Sequence, residues 1–139
     1  MDLLDTLNIA GTGLTAQRVR LQAVASNMAN ARTTRTPEGG AYKRQVPVFE
    51  AVPMRDFASG LDAELRKVDI PTVEQRDGTI RKHEPGHPDA DADGFVEYPD
   101  INLLHEMVDM MTASRSYEAN AEVVDATVQM AMRALEIGR

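Results

Sequence analysis

Apolar residues repeat at helical spacing near the beginning of this chain of 139 residues. Most companion positions between 3 and 31 are also apolar or small, which makes an a/d stripe over about four heptads and predicts a long amphipathic helix. Asp2 or Asp5 is expected to cap its start. Gly11 and Gly13 weaken a helix by roughly 1 kcal/mol each relative to Ala, which suggests a close backbone approach or a bend. The large residues spaced by seven are Leu7, Leu14, Leu21 and Met28.

A second stripe follows near the end of the chain, with members that alternate by four and three residues. No Gly or Pro interrupts 101–137, so this segment predicts a helix about 55 Å long. Asp100 or Asn102 is expected to cap its start, and Gly138 to end it. The members of the stripe are Leu103, Met107, Met110, Ser114, Tyr117, Ala121, Val124, Val128, Ala131 and Leu135.

The middle of the chain differs from both ends, because all seven Pro fall between 37 and 99. Its predicted strands cover 42–52, 68–73, 79–82 and 95–98, with the second and third around an Asp77-Gly78 turn. The expected fold is mainly α with a small β element. A long N-terminal helix followed by a loop (1–36) and a long C-terminal helix (101–139) are expected, and the two helices pair as a coiled coil around a short irregular or β middle (37–100).

The apolar stripes allow two interpretations: they pair only with each other, or with each other and with neighbouring subunits. A stripe some 50 Å long exceeds what a compact 139-residue globule covers, since its radius of gyration is near 14 Å. The second interpretation is therefore favoured, with helices largely disordered before assembly. Five methionines add an adaptable face: Met107, Met110, Met111, Met130 and Met132.

Composition narrows the classes of partner and chemistry. A net charge of −7 and a pI near 4.9 disfavour nucleic acid and anionic membrane surfaces. The absence of Cys excludes thiol catalysis, disulfides and thiolate metal sites. No run of 18 apolar residues predicts a membrane span, and the first residues are unlike a secretory signal peptide. A cytoplasmic protein or one exported without a cleaved signal is expected.

One segment has the sequence pattern of a zinc peptidase, His-Glu-x-x-His, at His83 to His87. That chemistry needs a helix, so that the two imidazoles share a face and Glu84 reaches the metal-bound water. Pro85 and Gly86 lie inside the required helix. A Pro-Gly turn is therefore the preferred interpretation.

The following segment resembles the start of an EF-hand loop, since Asp89, Asp91 and Asp93 alternate before Gly94. The twelfth position is Asp100, which is shorter than the usual Glu, and the incoming helix is absent. A structural turn is preferred over this weak calcium candidate. Because no nucleophile elbow, phosphate loop or dinucleotide motif occurs either, we expect no enzymatic activity and no cofactor.

Two terminal motifs resemble those of the axial proteins of the bacterial flagellum. Residues 25–31 are Ala-Ser-Asn-Met-Ala-Asn-Ala, and residues 113–120 are Ala-Ser-Arg-Ser-Tyr-Glu-Ala-Asn. Both are similar to the terminal signatures of rod and hook subunits, with Met28 in place of the usual Leu. The middle motif, from Glu84-Pro85-Gly86-His87-Pro88 to Tyr98-Pro99, on a short chain, is similar to that of a proximal rod protein of this family.

The resemblance implies a structural subunit of the basal-body rod, the drive shaft of motility, in the periplasm. It also implies export through the flagellar type III apparatus without a cleaved signal peptide. The implied partners are copies of itself, the rod proteins FlgB, FlgF and FlgG, and the adaptor FliE, with no nucleic acid and no membrane insertion. A soluble helical adaptor and a calcium-binding module using 89–100 remain as alternatives. The expected subunit interface comprises Leu7, Leu14, Leu21, Val24, Asn27, Met28, Asn30, Met107, Met110, Ser114, Tyr117, Ala121, Val124, Val128 and Leu135.

Overall fold

The computed structural model describes residues 3–54 and 65–137. The predicted capping residues Asp2 and Gly138 lie outside the described residues. Two terminal helices flank four strands, as the proline distribution predicts. In chain order the elements are α1 (Leu3–Ala29), β1 (Arg44–Pro53), β2 (Arg66–Arg76), β3 (Thr79–His83), β4 (Phe95–Pro99) and α2 (Leu103–Ile137).

The strands form two separate antiparallel sheets of two strands each, β1 with β2 and β3 with β4. All four predicted strands are present, but the Asp77-Gly78 turn does not join its neighbours into a hairpin. Tight hairpin turns need a positive φ at one or both central residues, and neither residue has one. The chain instead passes from one sheet to the other, where the Gly78 carbonyl accepts a hydrogen bond from the Asp100 amide at 3.0 Å.

Helix α2 begins at a side-chain cap. Asn102 Oδ1 accepts hydrogen bonds from the amides of Leu104 (3.0 Å) and His105 (3.3 Å), which satisfies two N–H groups that have no partner in the helix. Of the two predicted caps, Asn102 is therefore the one used. No helix of the described residues has a segment both long and apolar enough to cross a membrane.

The two helices pack against each other in antiparallel directions. Asn27 contacts Glu106, and a Cβ built on Gly13 would lie 2.9 Å from Asn120 Nδ2. Gly13 is fourteen residues before Asn27 on α1, and Asn120 is fourteen residues after Glu106 on α2. The two pairs therefore belong to one antiparallel register. Gly13 provides the close approach that the sequence suggested. At this register Leu3 lies opposite Met130, so α2 extends roughly 10 Å beyond Leu3, at 1.5 Å per residue.

The face of α2 that contacts α1 is formed by residues one position before members of the predicted stripe. Its buried residues are Glu106, Ala113 and Thr127, in line with Asn120 opposite Gly13. In contrast, the predicted members Leu103, Met107, Val128 and Leu135 are 42%, 50%, 41% and 75% exposed. Coiled-coil pairing of the two helices through large apolar residues is therefore not confirmed for these four members of the stripe. Small and polar residues allow a closer helix contact and leave the large ones outside.

The buried core of the described residues contains only small apolar side chains: Ala10, Ala16, Ala23, Val24, Ala41, Val96 and Ala113. The accessible surface is 9811 Å², against about 7,100 Å² for a compact monomer of this mass. The excess of about 2,700 Å² is larger than a standard protein–protein interface. The chain therefore has the surface of a subunit whose burial is incomplete on its own.

Candidate assembly surface and the polar junction that positions it

A group of polar side chains, of which Asn27 and Glu106 are buried, connects α1, α2 and β1, and we call it the polar junction (Arg20, Asn27, Arg44, Glu106 and Asp109). Asn27 is only 1% exposed, and it uses both ends of its amide. Nδ2 donates to Glu106 Oε2 (3.0 Å) and to the Gln45 carbonyl (2.9 Å). Oδ1 accepts from the Gln45 amide (2.8 Å) and from the Tyr42 hydroxyl (3.2 Å).

The polar junction contains two arginines and two carboxylates, so its formal charges cancel. Arg44 Nε and Nη2 lie 2.7 Å and 2.6 Å from Glu106 Oε1, and the Glu106 side chain is 1% exposed. Arg20 Nη2 donates to Asp109 Oδ1 at 2.8 Å. A buried ion pair adds little net stability, but removing one partner costs about 3–5 kcal/mol. The junction therefore fixes the register of the helices more than it strengthens them.

Two of the predicted interface residues act within the subunit. Asn27 belongs to the junction, and Asn30 ends helix α1. Asn30 Nδ2 donates to the Ser26 carbonyl (2.9 Å), and Asn30 Oδ1 accepts from the Thr33 hydroxyl (3.1 Å). The first terminal motif thus places its two amides in folding roles. Sequence spacing alone could not distinguish a role in folding from a role in subunit contact, because Glu106, the partner of Asn27 on α2, is 79 residues away.

The remaining predicted interface residues differ in how far they are exposed. Val24 is buried, and Met107, Tyr117, Val128 and Leu135 are exposed. The half-buried ones are Leu7, Leu14, Leu21, Met28, Met110, Ser114, Ala121 and Val124.

A continuous apolar face opens at the start of α2, and we call it the proximal patch (Leu103, Leu104, Met107, Val108 and Met111). Its members are 42%, 72%, 50%, 61% and 58% exposed. Leu104, Val108 and Met111 lie on the side of α2 away from the buried line that begins at Glu106, and Leu103 and Met107 lie between that side and the buried line. Leu104 and Val108 were not among the interface residues predicted from the sequence. Their spacing of four residues, followed by Met111 three residues later, is the sequence pattern that indicates this face.

The end of α2 carries a second exposed group, which we call the distal end (Met130, Met132, Leu135 and Ile137). These side chains are 55%, 54%, 75% and 87% exposed. Beyond Leu3 the register leaves this part of α2 without α1 beside it. Monomers rarely expose large contiguous apolar areas, so both groups are candidate contact surfaces.

The Asp-rich segment forms a hydrogen-bonded turn. Asp91 Oδ1 accepts from the amides of Asp93 (3.0 Å) and Phe95 (2.8 Å), and Asp91 Oδ2 pairs with Arg81 at 2.6 Å. The Phe95 hydrogen bond, with help from Arg81, lowers the pKa of the Asp91 carboxyl. Asp89 Oδ2 accepts from the Thr34 hydroxyl at 2.8 Å.

No geometry supports the calcium candidate. Asp100 lies beside Gly78, at the junction of the two sheets. Across 3–54 and 65–137, no three carboxylates or imidazoles are placed to hold a metal ion.

The peptidase-like motif is a turn between β3 and β4. His83 is the last residue of β3, where its ring contacts Phe95 edge-on at 5.1 Å between centroids. Glu84 accepts a hydrogen bond from the Tyr98 hydroxyl at 2.8 Å, which raises the pKa of Tyr98. His87 Nδ1 accepts from the Asp89 amide at 3.1 Å. The two histidines are not on one helical face, so the pattern lacks the arrangement that zinc peptidases need.

These features describe a polymer-forming subunit: terminal helices held in register by a polar junction, with large apolar faces left outside. Known proteins agree with this class. Residues 7–35 match the family described as "Flagella basal body rod protein", and residues 92–137 match "Flagellar basal body rod FlgEFG protein C-terminal". The two matched ranges contain most of α1 and all of α2.

Full-length relatives show which family of rod proteins includes this chain. The chain is 40% identical to the flagellar basal-body rod protein FlgC of Borreliella burgdorferi, with 99% of this chain and 98% of the relative covered. It is 38% identical to FlgC of Escherichia coli and 35% identical to FlgC of Bacillus subtilis, each over the full length of both proteins. The chain belongs to the FlgC family of flagellar basal-body rod proteins.

Proposed function

We propose that this chain is a structural subunit of the proximal rod of the flagellar basal body. It polymerises through its terminal helices into the shaft that transmits torque for motility. The observation that carries the proposal is the exposure of large apolar side chains along α2, while the buried apolar residues of 3–54 and 65–137 are only Ala and Val. Membership of the FlgC family supports the same role.

The assembly step follows from the incomplete burial of the free subunit. Alone, α1 and α2 meet through small and polar residues, so the helix pair is marginally stable. Addition to a growing rod buries the proximal patch and the distal end against neighbouring helices, in coiled-coil-like contacts. Ordering of the helices is thereby coupled to incorporation, and the many shared contacts make the shaft stiff.

The partners and the route to the rod are part of the proposal. The subunit contacts copies of itself, the rod proteins FlgB, FlgF and FlgG, and the adaptor FliE. It passes through the flagellar type III export apparatus without a cleaved signal peptide and assembles in the periplasm. A marginal helix pair and the absence of Cys suit a chain that is threaded unfolded. No catalytic step, cofactor or nucleic acid enters this role.

The test compares two substitutions at equally exposed valines. Val128 on α2 and Val73 on β2 are both 41% exposed. Val128→Asp places a charge on the predicted apolar stripe of α2, two residues before the distal end, and should abolish incorporation into basal bodies and swimming, with synthesis unchanged. Val73→Asp is the control and should be incorporated. Normal motility with Val128→Asp contradicts the proposal.

A further inference from the structure

Two dipeptides of the chain have an aspartate followed directly by glycine, Asp77-Gly78 and Asp93-Gly94. At such a step the glycine amide nitrogen can attack the γ-carbon of the aspartate side chain, because glycine has no Cβ to obstruct the approach and adopts a wide range of backbone angles. The attack also requires that the amide is not donating a hydrogen bond and that the backbone around it can rotate. Local structure therefore determines which of the two steps reacts in the folded chain.

The Asp93-Gly94 step is held in one conformation by its turn. The Gly94 amide donates a hydrogen bond to the Asp91 carbonyl at 3.0 Å, and the Asp93 amide donates to Asp91 Oδ1 at 3.0 Å. Gly94 has a φ of 79°, and a Cβ built on it would lie 3.1 Å from both His83 Nε2 and Pro85 Cβ. The nitrogen that would attack is thus occupied, and packing restricts rotation of the backbone around it.

The Asp77-Gly78 step lies outside both sheets, between the end of β2 at Arg76 and the start of β3 at Thr79. Within residues 3–54 and 65–137, no group accepts a hydrogen bond from the Gly78 amide. The Asp77 side chain is 78% exposed, and its Oδ1 lies 2.6 Å from Lys43 Nζ. This ion pair opposes the reaction, but pairs between exposed side chains are weak, so the carboxyl group is frequently released.

We propose that Asp77-Gly78 is a site of spontaneous isoaspartate formation. The Gly78 nitrogen forms a bond to Asp77 Cγ, the bond from Cγ to the carboxyl hydroxyl breaks, and this hydroxyl leaves as water with the amide proton. The product is a cyclic succinimide. Water then adds to one of its two carbonyl carbons: opening at the main-chain carbonyl gives isoaspartate, and opening at the side-chain carbonyl restores aspartate. The only co-reactant is water, so the inference does not depend on the proposed function.

The position of this step gives the modification a structural effect. Residues 77 and 78 connect the two sheets, and the Gly78 carbonyl accepts a hydrogen bond from the Asp100 amide at 3.0 Å. Isoaspartate routes the main chain through the side chain and lengthens it by one methylene, about 1.5 Å. Because the connection has only two residues, the added length moves the Gly78 carbonyl. We expect its hydrogen bond with Asp100 to be lost, two residues before the helix cap at Asn102.

The test follows both steps in one sample of the purified full-length chain, kept for several weeks at neutral pH and body temperature. Cleavage after lysine gives separate fragments for the two steps, 68–82 and 83–139, because the lysines of the chain are Lys43, Lys67 and Lys82. Electron-transfer mass spectrometry distinguishes isoaspartate from aspartate in each fragment. We expect at least about fivefold more isoaspartate at Asp77 than at Asp93. In a parallel sample unfolded in urea, we expect the two sites to differ by less than about twofold.

The matched control is Asp77→Glu, which keeps a carboxylate within reach of Lys43 but would have to close a six-membered ring, a much slower reaction. This variant should form no isomer at position 77 and should leave the yield at Asp93 unchanged. A ratio below about fivefold in the folded chain, or a ratio that is the same in urea, overturns the inference.

Discussion

Asn27 Nδ2 donates a hydrogen bond to Glu106 Oε2 at 3.0 Å, across 79 residues of sequence. The bond connects the end of α1 to the beginning of α2, and the same amide holds the backbone of Gln45 at the start of β1. One side chain thus sets the position of three elements. A polar group that is fully satisfied in one register and unsatisfied in the others specifies that register.

Loss of the Asn27 amide should weaken the free subunit. Asn27→Ala leaves buried partners without hydrogen bonds, and each such group costs about 1–3 kcal/mol. We expect the free energy of unfolding of the helix pair to fall by at least about 2 kcal/mol. Circular dichroism at 222 nm during heating measures the change. The control is Asn8→Ala, at an exposed position of α1, and equal midpoints for the two variants would argue against the junction.

Removal of the Glu106 carboxylate should be more damaging, because the buried Asn27 amide loses an acceptor and Arg44 loses its closest carboxylate. Glu106→Ala is expected to cost about 3–5 kcal/mol. Glu122→Ala, at an exposed position of the same helix, is expected to change stability by less than about 0.5 kcal/mol. Urea unfolding of both variants measures the difference. A double-mutant cycle with Arg44→Ala should give a coupling energy, and additive losses would show that the pair does not interact.

The two glycines of α1 should respond oppositely to the same substitution. A Cβ on Gly11 meets nothing within 4 Å, so Gly11→Ala should stabilise the free helix by roughly 1 kcal/mol. A Cβ on Gly13 would lie 2.9 Å from Asn120 Nδ2, so Gly13→Ala should gain less than Gly11→Ala or lose stability. Thermal unfolding of the two variants tests the helix contact. Equal gains would mean that Gly13 and Asn120 are not in contact in solution.

The turn held by Asp91 should lose stability at acid pH. The pKa of Asp91 is lowered from 3.8 by the Phe95 amide first and by Arg81. A lowered pKa in the folded state contributes stability that is present above 3.8 and is lost as the pH falls through the folded value. The Phe95 amide shift in an NMR titration should therefore have its midpoint below 3.8. Asp91→Asn should remove that transition, and a midpoint at or above 3.8 in the natural chain would contradict the turn geometry.

Local signals in the sequence predicted the elements well. The confinement of Pro to the middle predicted the two helices, and the cap at Asn102 was one of two residues expected from the sequence. The strands also followed from β-branched residues between turns. Their pairing did not, because β2 and β3 are joined through Asp77 and Gly78 without the backbone geometry of a hairpin.

The contact faces could not be predicted in the same way. Large apolar residues usually mark the buried side of a helix, so the stripe through Met107 and Val128 was expected to face α1. In this chain the buried line begins at Glu106, whose partners Asn27 and Arg44 come from distant segments. Periodicity cannot show such partners. In the proposed rod the partner of such a stripe is a neighbouring subunit, which the sequence of one chain does not show.

Hydrogen exchange of the free chain and of assembled rods tests most directly the claim that the helices gain their stability in the assembly. In the dilute free chain we expect the amides of α1 and α2 to be protected only to the extent set by the modest free energy of unfolding of the helix pair. In assembled rods the helix amides should become the most protected of the chain. Equal, strong protection of both helices in the dilute chain and in the rod would contradict the account.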